Sequence, residues 1–270
     1  MASSTRGRAR LIRSDPRMNA HGIDALTAAG RLRALRAAML GCVRCEALVK
    51  CRSQVVPGHG AAPAMVTFLG LAPGRLGGDR TGIPFSGDRS GDLLRRMIGR
   101  ADLGRVFITN LVRCNPRDGS GRNRDPSSRE IANCRDHLAA ELAVVRPNVV
   151  ACLGAVAWRE MAGGEAPFRP HRPVAFAYGN VLLYPMYHPA YVVRGAYSEK
   201  AYARDFIRLA RCVHRLTGPP VTPPSRRRSI HSQLRNNAGA QRISNGLKSS
   251  PSINRAASTV GVARGAGPDG

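Results

Sequence analysis

The amino-acid sequence predicts an α/β protein, in which a central, mostly parallel four-stranded sheet carries helices on both faces and forms a three-layer sandwich. Short apolar runs alternate with segments of helical spacing, and the runs end at glycine or polar residues that begin loops. A hydrophobic fraction of 43% over 270 residues is sufficient for one sizeable core. We therefore predict one folded domain at 23–217, between basic tails at 1–22 and 218–270.

The elements follow in order along the chain. Apolar residues recur at roughly helical spacing over 23–40, which predicts an amphipathic first helix. Four apolar runs then predict buried strands, at 66–71, 106–109, 148–153 and 181–186. Helical segments separate and follow them, at 92–100, 129–145, 155–161 and 199–216. Because ligands of parallel sheets bind at the carboxyl ends of the strands, the functional residues are expected in the loops after these four strands.

The charge of the chain points to its partner. There are 42 lysines and arginines against 17 acidic residues, a formal charge of +25. Such an excess favours a polyanion, with nucleic acid the leading candidate and an acidic membrane surface the alternative. A membrane partner has no support, because the sequence shows no lipidation signal and no apolar run of membrane-spanning length. A secretory signal is also missing, so we expect a cytoplasmic protein, typical of a bacterial cytoplasm or nucleoid.

The segment 218–270 differs in composition from the rest. It is rich in proline, serine, asparagine and glycine, contains few large apolar residues, and is not expected to fold. Its basic residues leave two interpretations open: a dispensable tail, or an arm that tethers the protein to DNA.

The cysteines indicate a metal site. Cys42 and Cys45 stand two residues apart at the end of the first helix, Cys114 follows the second strand, and Cys134 lies in the next helix. An odd number of cysteines without a secretory signal argues against a disulfide framework. Four such thiolates can hold either zinc or an iron–sulfur cluster, and their spacing does not distinguish the two. Cys51 is a competing ligand.

Three motifs carry a resemblance to a known family. They are GLAPGRLGGDRTGIPFSGDRSG at 70–91, ITNLVRCNP at 108–116 with NRDP at 123–126 and EIANC at 130–134, and YHPA at 187–190. In order and spacing these motifs resemble the type 5 uracil-DNA glycosylases, over roughly residues 40 to 215. The resemblance implies an α/β/α sandwich and a DNA repair enzyme. Such an enzyme flips uracil, or another deaminated base, out of the DNA and hydrolyses its N-glycosidic bond.

The resemblance also implies a cofactor, a partner and a ligand set. Cys42, Cys45, Cys114 and Cys134 match the ligands of a [4Fe–4S] cluster with a structural role. The partner is DNA that contains uracil or another deaminated base, and the protein is expected to act as a monomer.

The substrate-binding residues lie around the first two strand ends. They are Gly70, Ala72, Pro73, Gly74, Phe85, Asn110 and Asn123. Gly74, Gly77 and Gly78 permit close backbone approach to the DNA strand or the base. The family match favours stacking of Phe85 on the flipped base, and plain core packing is the alternative.

Two residues are predicted to be catalytic. Uracil leaves with negative charge on O2, and His188 at the end of the last strand is placed to donate to it. The sugar becomes oxocarbenium-like, and the carboxylate of Asp88 is the candidate to stabilise it and orient water. The alternative for Asp88 is a turn, since Gly87 and Gly91 flank it.

Three positions depart from the type 5 pattern. Asn110 stands where type 5 members usually have a small residue, and it matches type 4 relatives, in which an asparagine reads the uracil edge. Asp79 replaces the usual asparagine, and Ala190 the usual serine. These differences leave strict uracil specificity and a broader range of deaminated bases both open. Two other functions also stay open, namely a non-catalytic iron–sulfur DNA-binding protein of this fold and a zinc-ribbon-like nucleic-acid module.

Overall fold

The structure is a computed structural model that describes residues 20–163, 166–172, 174–175 and 181–218. The predicted tails at 1–22 and 218–270 therefore lie outside the described residues, apart from 20–22 and Gly218.

Eight helices are present in the described part of the chain. They are α1 (Ala20–Leu40), α2 (Glu46–Cys51), α3 (Gly78–Thr81), α4 (Arg89–Arg100), α5 (Ser128–Val145), α6 (Ala155–Ala162), α7 (Pro189–Val193) and α8 (Glu199–Thr217). Helix α5 begins with a capping box, in which the Ser127 side chain accepts from the Glu130 backbone and the Glu130 side chain accepts in return. None of the described helices combines the length and apolar character that a membrane crossing requires.

The strands form one sheet. They are β1 (His59–Gly60), β2 (Val66–Gly70), β3 (Val106–Asn110), β4 (Val149–Leu153), β5 (Val174–Ala175) and β6 (Leu182–Met186), in the order β1-β3-β2-β4-β6-β5. The central four, β3, β2, β4 and β6, run parallel, whereas β1 and β5 pair antiparallel at the two edges. The predicted parallel sheet is thereby confirmed. Its edge strands have two residues each, too few to show a periodic pattern in the sequence.

Side chains alternate between the two faces of the sheet. On one face Phe68 of β2 packs against α4, α7 and α8, with its ring stacked on Phe206 at 5.7 Å between centroids. On the other face Leu69 and the β4 residue Cys152 pack against α1, α2, α5 and α6. The three-layer α/β/α arrangement follows from this alternation.

Parallel pairing brings the carboxyl ends of the four central strands together. Gly70 at the end of β2 is the register partner of Asn110 at the end of β3, and Leu153 of β4 is that of Met186. The loops that leave these ends carry the motifs identified in the sequence.

Candidate active site

A cavity of about 390 Å³ opens at the carboxyl ends of the parallel strands. Eight of the predicted catalytic and substrate-binding residues line it: Ala72, Pro73, Gly74, Phe85, Asp88, Asn110, Asn123 and His188. The ninth, Gly70, lies behind Asn110 and Phe85. The fold therefore brings together residues separated by more than a hundred positions in the sequence.

Asn110 presents an unpaired amide to this cavity. The residue is 2% exposed, and neither Nδ2 nor Oδ1 has a hydrogen-bond partner among the described residues. A buried amide without partners costs free energy, so such a group points to a polar ligand. A Cβ on Gly70 would stand 2.4 Å from Asn110 Oδ1 and 2.6 Å from the Phe85 ring, which explains the glycine at the end of β2.

Phe85 is held by the loop that precedes α4. Its φ of 52° is in the left-handed region, which a non-glycine residue adopts only when its surroundings fix it. The Arg95 guanidinium supplies that constraint, because its Nε donates to the Phe85 carbonyl and its Nη2 to the Pro84 carbonyl, each at 2.8 Å. The ring faces His188, with 5.5 Å between centroids. Phe85 thus forms a fixed wall of the cavity and also contacts the core.

His188 is placed as a neutral donor. Its Nδ1 accepts from the Ala190 N–H at 3.1 Å, so in the neutral ring the proton is on Nε2. Burial and, to a smaller extent, the nearby Arg194 charge lower the pKa of His188 to about 4. At neutral pH the ring therefore offers an N–H from Nε2 without carrying a positive charge.

Asp88 caps a helix and also lines the cavity, and its catalytic role stays a prediction. Its Oδ1 caps α4 by accepting from the Gly91 N–H at 2.8 Å, which also explains why this helix begins three residues before the predicted start. Its Oδ2 lies against the preceding loop, 2.0 Å from where a Cβ on Gly77 would be and 3.3 Å from one on Gly74. The cap therefore fixes the carboxyl group while Oδ2 stays at the cavity.

The four predicted cluster ligands share a second, smaller cavity. It is lined by Cys42, Cys45, Cys114 and Cys134, whereas Cys51 donates to backbone carbonyls of Leu48 and Asn115. Cys51 therefore does not line the cavity that the four predicted ligands share.

Each of these four sulfurs has a nitrogen partner. Arg52 Nη1 lies 3.0 Å from Cys114 Sγ, and the Arg113 N–H lies 3.4 Å from Cys134 Sγ. The Asn133 amide contacts Cys45 Sγ and the His137 ring contacts Cys42 Sγ, both at 3.4 Å. Burial raises the pKa of Cys114 to about 11, an effect that Arg52 opposes. Hydrogen bonds to sulfur are the usual surroundings of thiolates that ligate a cluster.

Among the described residues, no group of three or more Cys, His, Asp or Glu is arranged to hold a metal ion. The four cysteines share one cavity, and the kind of metal centre they could hold is a matter of proposal.

Sequence reasoning missed a set of buried polar residues behind the site. Arg113, 1% exposed, forms an ion pair with the fully buried Glu141 and donates from Nη1 to the Asn110 carbonyl at 2.8 Å. Asp79 and Asn115, likewise buried, connect the loop after β2 to the loop that carries Asn123. Only Asp79 stood out in the sequence, as a departure from the type 5 pattern.

The segment that forms this arrangement matches a known protein family. The family model described as the uracil DNA glycosylase superfamily matches residues 57–210. A type-4 uracil-DNA glycosylase of Archaeoglobus fulgidus is 41% identical over 118 residues, which cover 43% of this chain and 56% of that protein.

Two further relatives are matched over most of their length. A type-4 enzyme of Saccharolobus solfataricus is 33% identical, with 67% of this chain and 84% of the relative covered. A type-5 enzyme of Pyrobaculum aerophilum is 34% identical, with 56% and 79% covered. Since the family model spans more than half of the chain, and the motifs it contains converge on one cavity, the protein belongs to the uracil DNA glycosylase superfamily.

Proposed function

We propose that the protein is a DNA repair glycosylase that flips uracil out of DNA and hydrolyses its N-glycosidic bond. The observation that carries the proposal is the buried, unpaired amide of Asn110, enclosed with Phe85 and a neutral His188 in one cavity. An asparagine amide has a donor and an acceptor side by side. Its Oδ1 accepts from uracil N3–H while its Nδ2 donates to O4, so the free amide is satisfied by the base edge.

Phe85 and the glycine-rich loop complete the base pocket. The Phe85 ring is fixed by Arg95 and offers an apolar face on which a flipped base stacks. Flipping costs a few kcal/mol, and stacking together with the Asn110 hydrogen bonds offsets that cost.

His188 and Asp88 act on opposite ends of the bond that breaks. As the C1′–N1 bond lengthens, its electron pair moves onto the base, and the Nε2–H of His188 donates to the negative charge on O2. Asp88 Oδ2 stabilises the positive sugar and orients a water molecule toward C1′. The oxygen of that water adds to C1′ and a proton is lost to solvent. The uracil anion takes up a proton, which gives an abasic site and free uracil.

We further propose that Cys42, Cys45, Cys114 and Cys134 hold a [4Fe–4S] cluster. Their common cavity, their nitrogen partners and the type-4 and type-5 names of the relatives support this assignment. Held by these cysteines, a cluster would have a structural role, because its ligands come from the loop before α2, the loop after β3 and α5. The monomeric state and the cytoplasmic location stay predictions from the sequence.

The test is release of uracil by the purified holoprotein. The protein is produced in a host that lacks its own uracil-DNA glycosylases and incubated with end-labelled single- and double-stranded oligonucleotides containing uracil, with alkaline cleavage of the abasic sites. Asn110→Ala, purified in parallel, controls for contaminating activity. Hypoxanthine substrates measure the breadth of the pocket. If wild-type protein with an intact cluster bound these DNAs but released no base, the non-catalytic DNA-binding alternative would replace the proposal.

A further inference from the structure

The carboxylate of Asp79 is buried behind the active-site cavity. It is 0% exposed, and the Ser53 N–H donates to Oδ1 at 3.0 Å and to Oδ2 at 3.2 Å. Arg117, whose side chain is 22% exposed, donates to Oδ2 through Nη2. A charge removed from water in this way is tolerated only when it is paired and hydrogen-bonded, so Asp79 and Arg117 hold each other in place.

From Arg117 a chain of hydrogen bonds leads to the cavity. Arg117 Nε donates to Asn115 Oδ1 at 2.8 Å. Asn115 Nδ2 in turn donates to Asn123 Oδ1 at 2.9 Å and to the Pro73 carbonyl at 2.6 Å. A guanidinium only donates, which obliges Asn115 to turn its oxygen toward Arg117 and its nitrogen toward Asn123. The arginine and the Pro73 carbonyl together therefore fix the orientation of the Asn115 amide, and Asn115 passes it to Asn123.

The last amide in this chain of hydrogen bonds lines the active-site cavity. Asn123 Oδ1 also accepts from the Arg75 N–H at 3.0 Å, so the oxygen is engaged on the protein side. The nitrogen lies 3.9 Å from where a Cβ on Gly74 would be, and Asp88 Oδ2 lies 3.3 Å from the same point. A hydrogen-bond donor and a carboxylate oxygen thus both lie within 4 Å of this point beside Gly74, in the lining of the cavity.

We infer that Asp79, Arg117 and Asn115 form a positioning relay that keeps the Nδ2 donor of Asn123 directed at an acceptor oxygen of the flipped deoxyuridine nucleotide. The inference rests on the proposed function. Asp79 and Arg117 do not line the cavity and act through Asn115, which lines it beside Asn123. The Asn115 Nδ2 and the Arg75 N–H together hold Oδ1 of Asn123 on the protein side, which leaves its Nδ2 for the substrate. Asp79, the residue that departs from the type 5 pattern, is the anchor of the relay.

The experiment is a double-mutant cycle on the holoprotein. Single-turnover uracil release at saturating enzyme is measured for Asp79→Asn, Arg117→Lys and Asn123→Ala, and for the two pairs that include Asn123→Ala. Lysine keeps the positive charge beside Asp79 but lacks the second guanidinium nitrogen, through which Arg117 also donates to Asn115. Removing the Asn123 donor is expected to cost about 10²-fold, as for other preorganised donors. Asp79→Asn and Arg117→Lys should each slow release at least about 10-fold, and neither should slow it further in the Asn123→Ala background.

Asp205→Asn is the matched control. Asp205 is another buried carboxylate, 1% exposed, that accepts from Arg208 on α8, and it does not line the active-site cavity. This variant should lower the melting temperature and leave the rate unchanged. The relay would be overturned if Arg117→Lys and Asp79→Asn both released uracil at the wild-type rate. It would also be overturned if they slowed release by the same factor in the wild-type and the Asn123→Ala backgrounds. Either result would leave the proposed glycosylase activity intact. Wild-type protein that releases no uracil would overturn both.

Discussion

The neutral state of His188 gives a prediction about pH. With the ordinary histidine pKa of about 6.5, roughly a quarter of the rings would be charged at pH 7, whereas a pKa of about 4 leaves roughly one in a thousand charged. The donor that we propose for uracil O2 is therefore the neutral ring throughout the physiological range. We expect titration of His188 to add no inflection to the single-turnover rate between pH 5.5 and 8.

Substitution of the ring tests its contribution. His188→Ala removes one preorganised donor from a buried site, and losses of about 10²–10³-fold in rate are typical of such a change. DNA affinity should change little, because the donor acts mainly on charge that develops as the bond breaks. The measurement is single-turnover uracil release from pH 5.5 to 8 for both proteins. A wild-type rate that increases on acidification with a midpoint near 6.5 would refute the neutral donor.

The lowered pKa of His188 also predicts how the free energy of unfolding depends on pH. Because the folded pKa lies below the unfolded value, the unfolded chain binds more protons between pH 6.5 and 4, so stability falls as pH falls through that window. From pH 7 to pH 5 the contribution of His188 to this loss is about 2 kcal/mol. Urea unfolding of wild type and His188→Gln should therefore differ by about that amount in their pH dependence. The exposed His214→Gln is the control, and a pH dependence equal in wild type and His188→Gln would contradict the calculation.

Three further predictions concern the pocket, the cluster and the charge. Gly70→Ala places a Cβ within 2.4 Å of Asn110 Oδ1, so uracil release should fall while cluster content stays, measured by cleavage and the visible spectrum. Cys114→Ala should abolish the brown colour and about four irons per chain, whereas Cys51→Ala should retain both; stoichiometric zinc in the wild type would contradict the cluster. Binding to duplex DNA should weaken with salt at a log–log slope near −0.9 per phosphate contacted, and deleting 218–270 should reduce that slope if this segment touches DNA.

The fold was largely predictable because its strands are buried on both faces. All four parallel strands appear in the sequence as apolar runs, and the ends of β2, β3 and β6 coincide with the start of the motif loops. The helices that escaped prediction are short: α2 has six residues, α3 has four and α7 has five, too few for a helical period to show.

The site was predictable at the level of residue identity but not of geometry. The position of Asn110 in a motif led us to expect that it reads the base. Only the fold shows that both of its amide atoms are buried and unpaired among the described residues. The lowered pKa of His188 depends on burial and on Arg194, six residues further along the chain. The partners of Asp79 come from segments 26 and 38 positions away, a separation at which sequence spacing carries no information about contact.

The arrangement around Arg113 links the proposed cluster ligands to the proposed base-reading residue. Arg113 precedes Cys114, and its own N–H contacts the sulfur of Cys134, so its backbone is held between two of the proposed ligands. Its guanidinium donates to the Asn110 carbonyl and pairs with the buried carboxylate of Glu141. Asn110 is therefore connected, through one arginine, to the segment that a cluster on these cysteines would tie to α5. On this proposal, loss of the cluster would release that segment and the buried ion pair, and Asn110 would lose its position without any direct contact between iron and base.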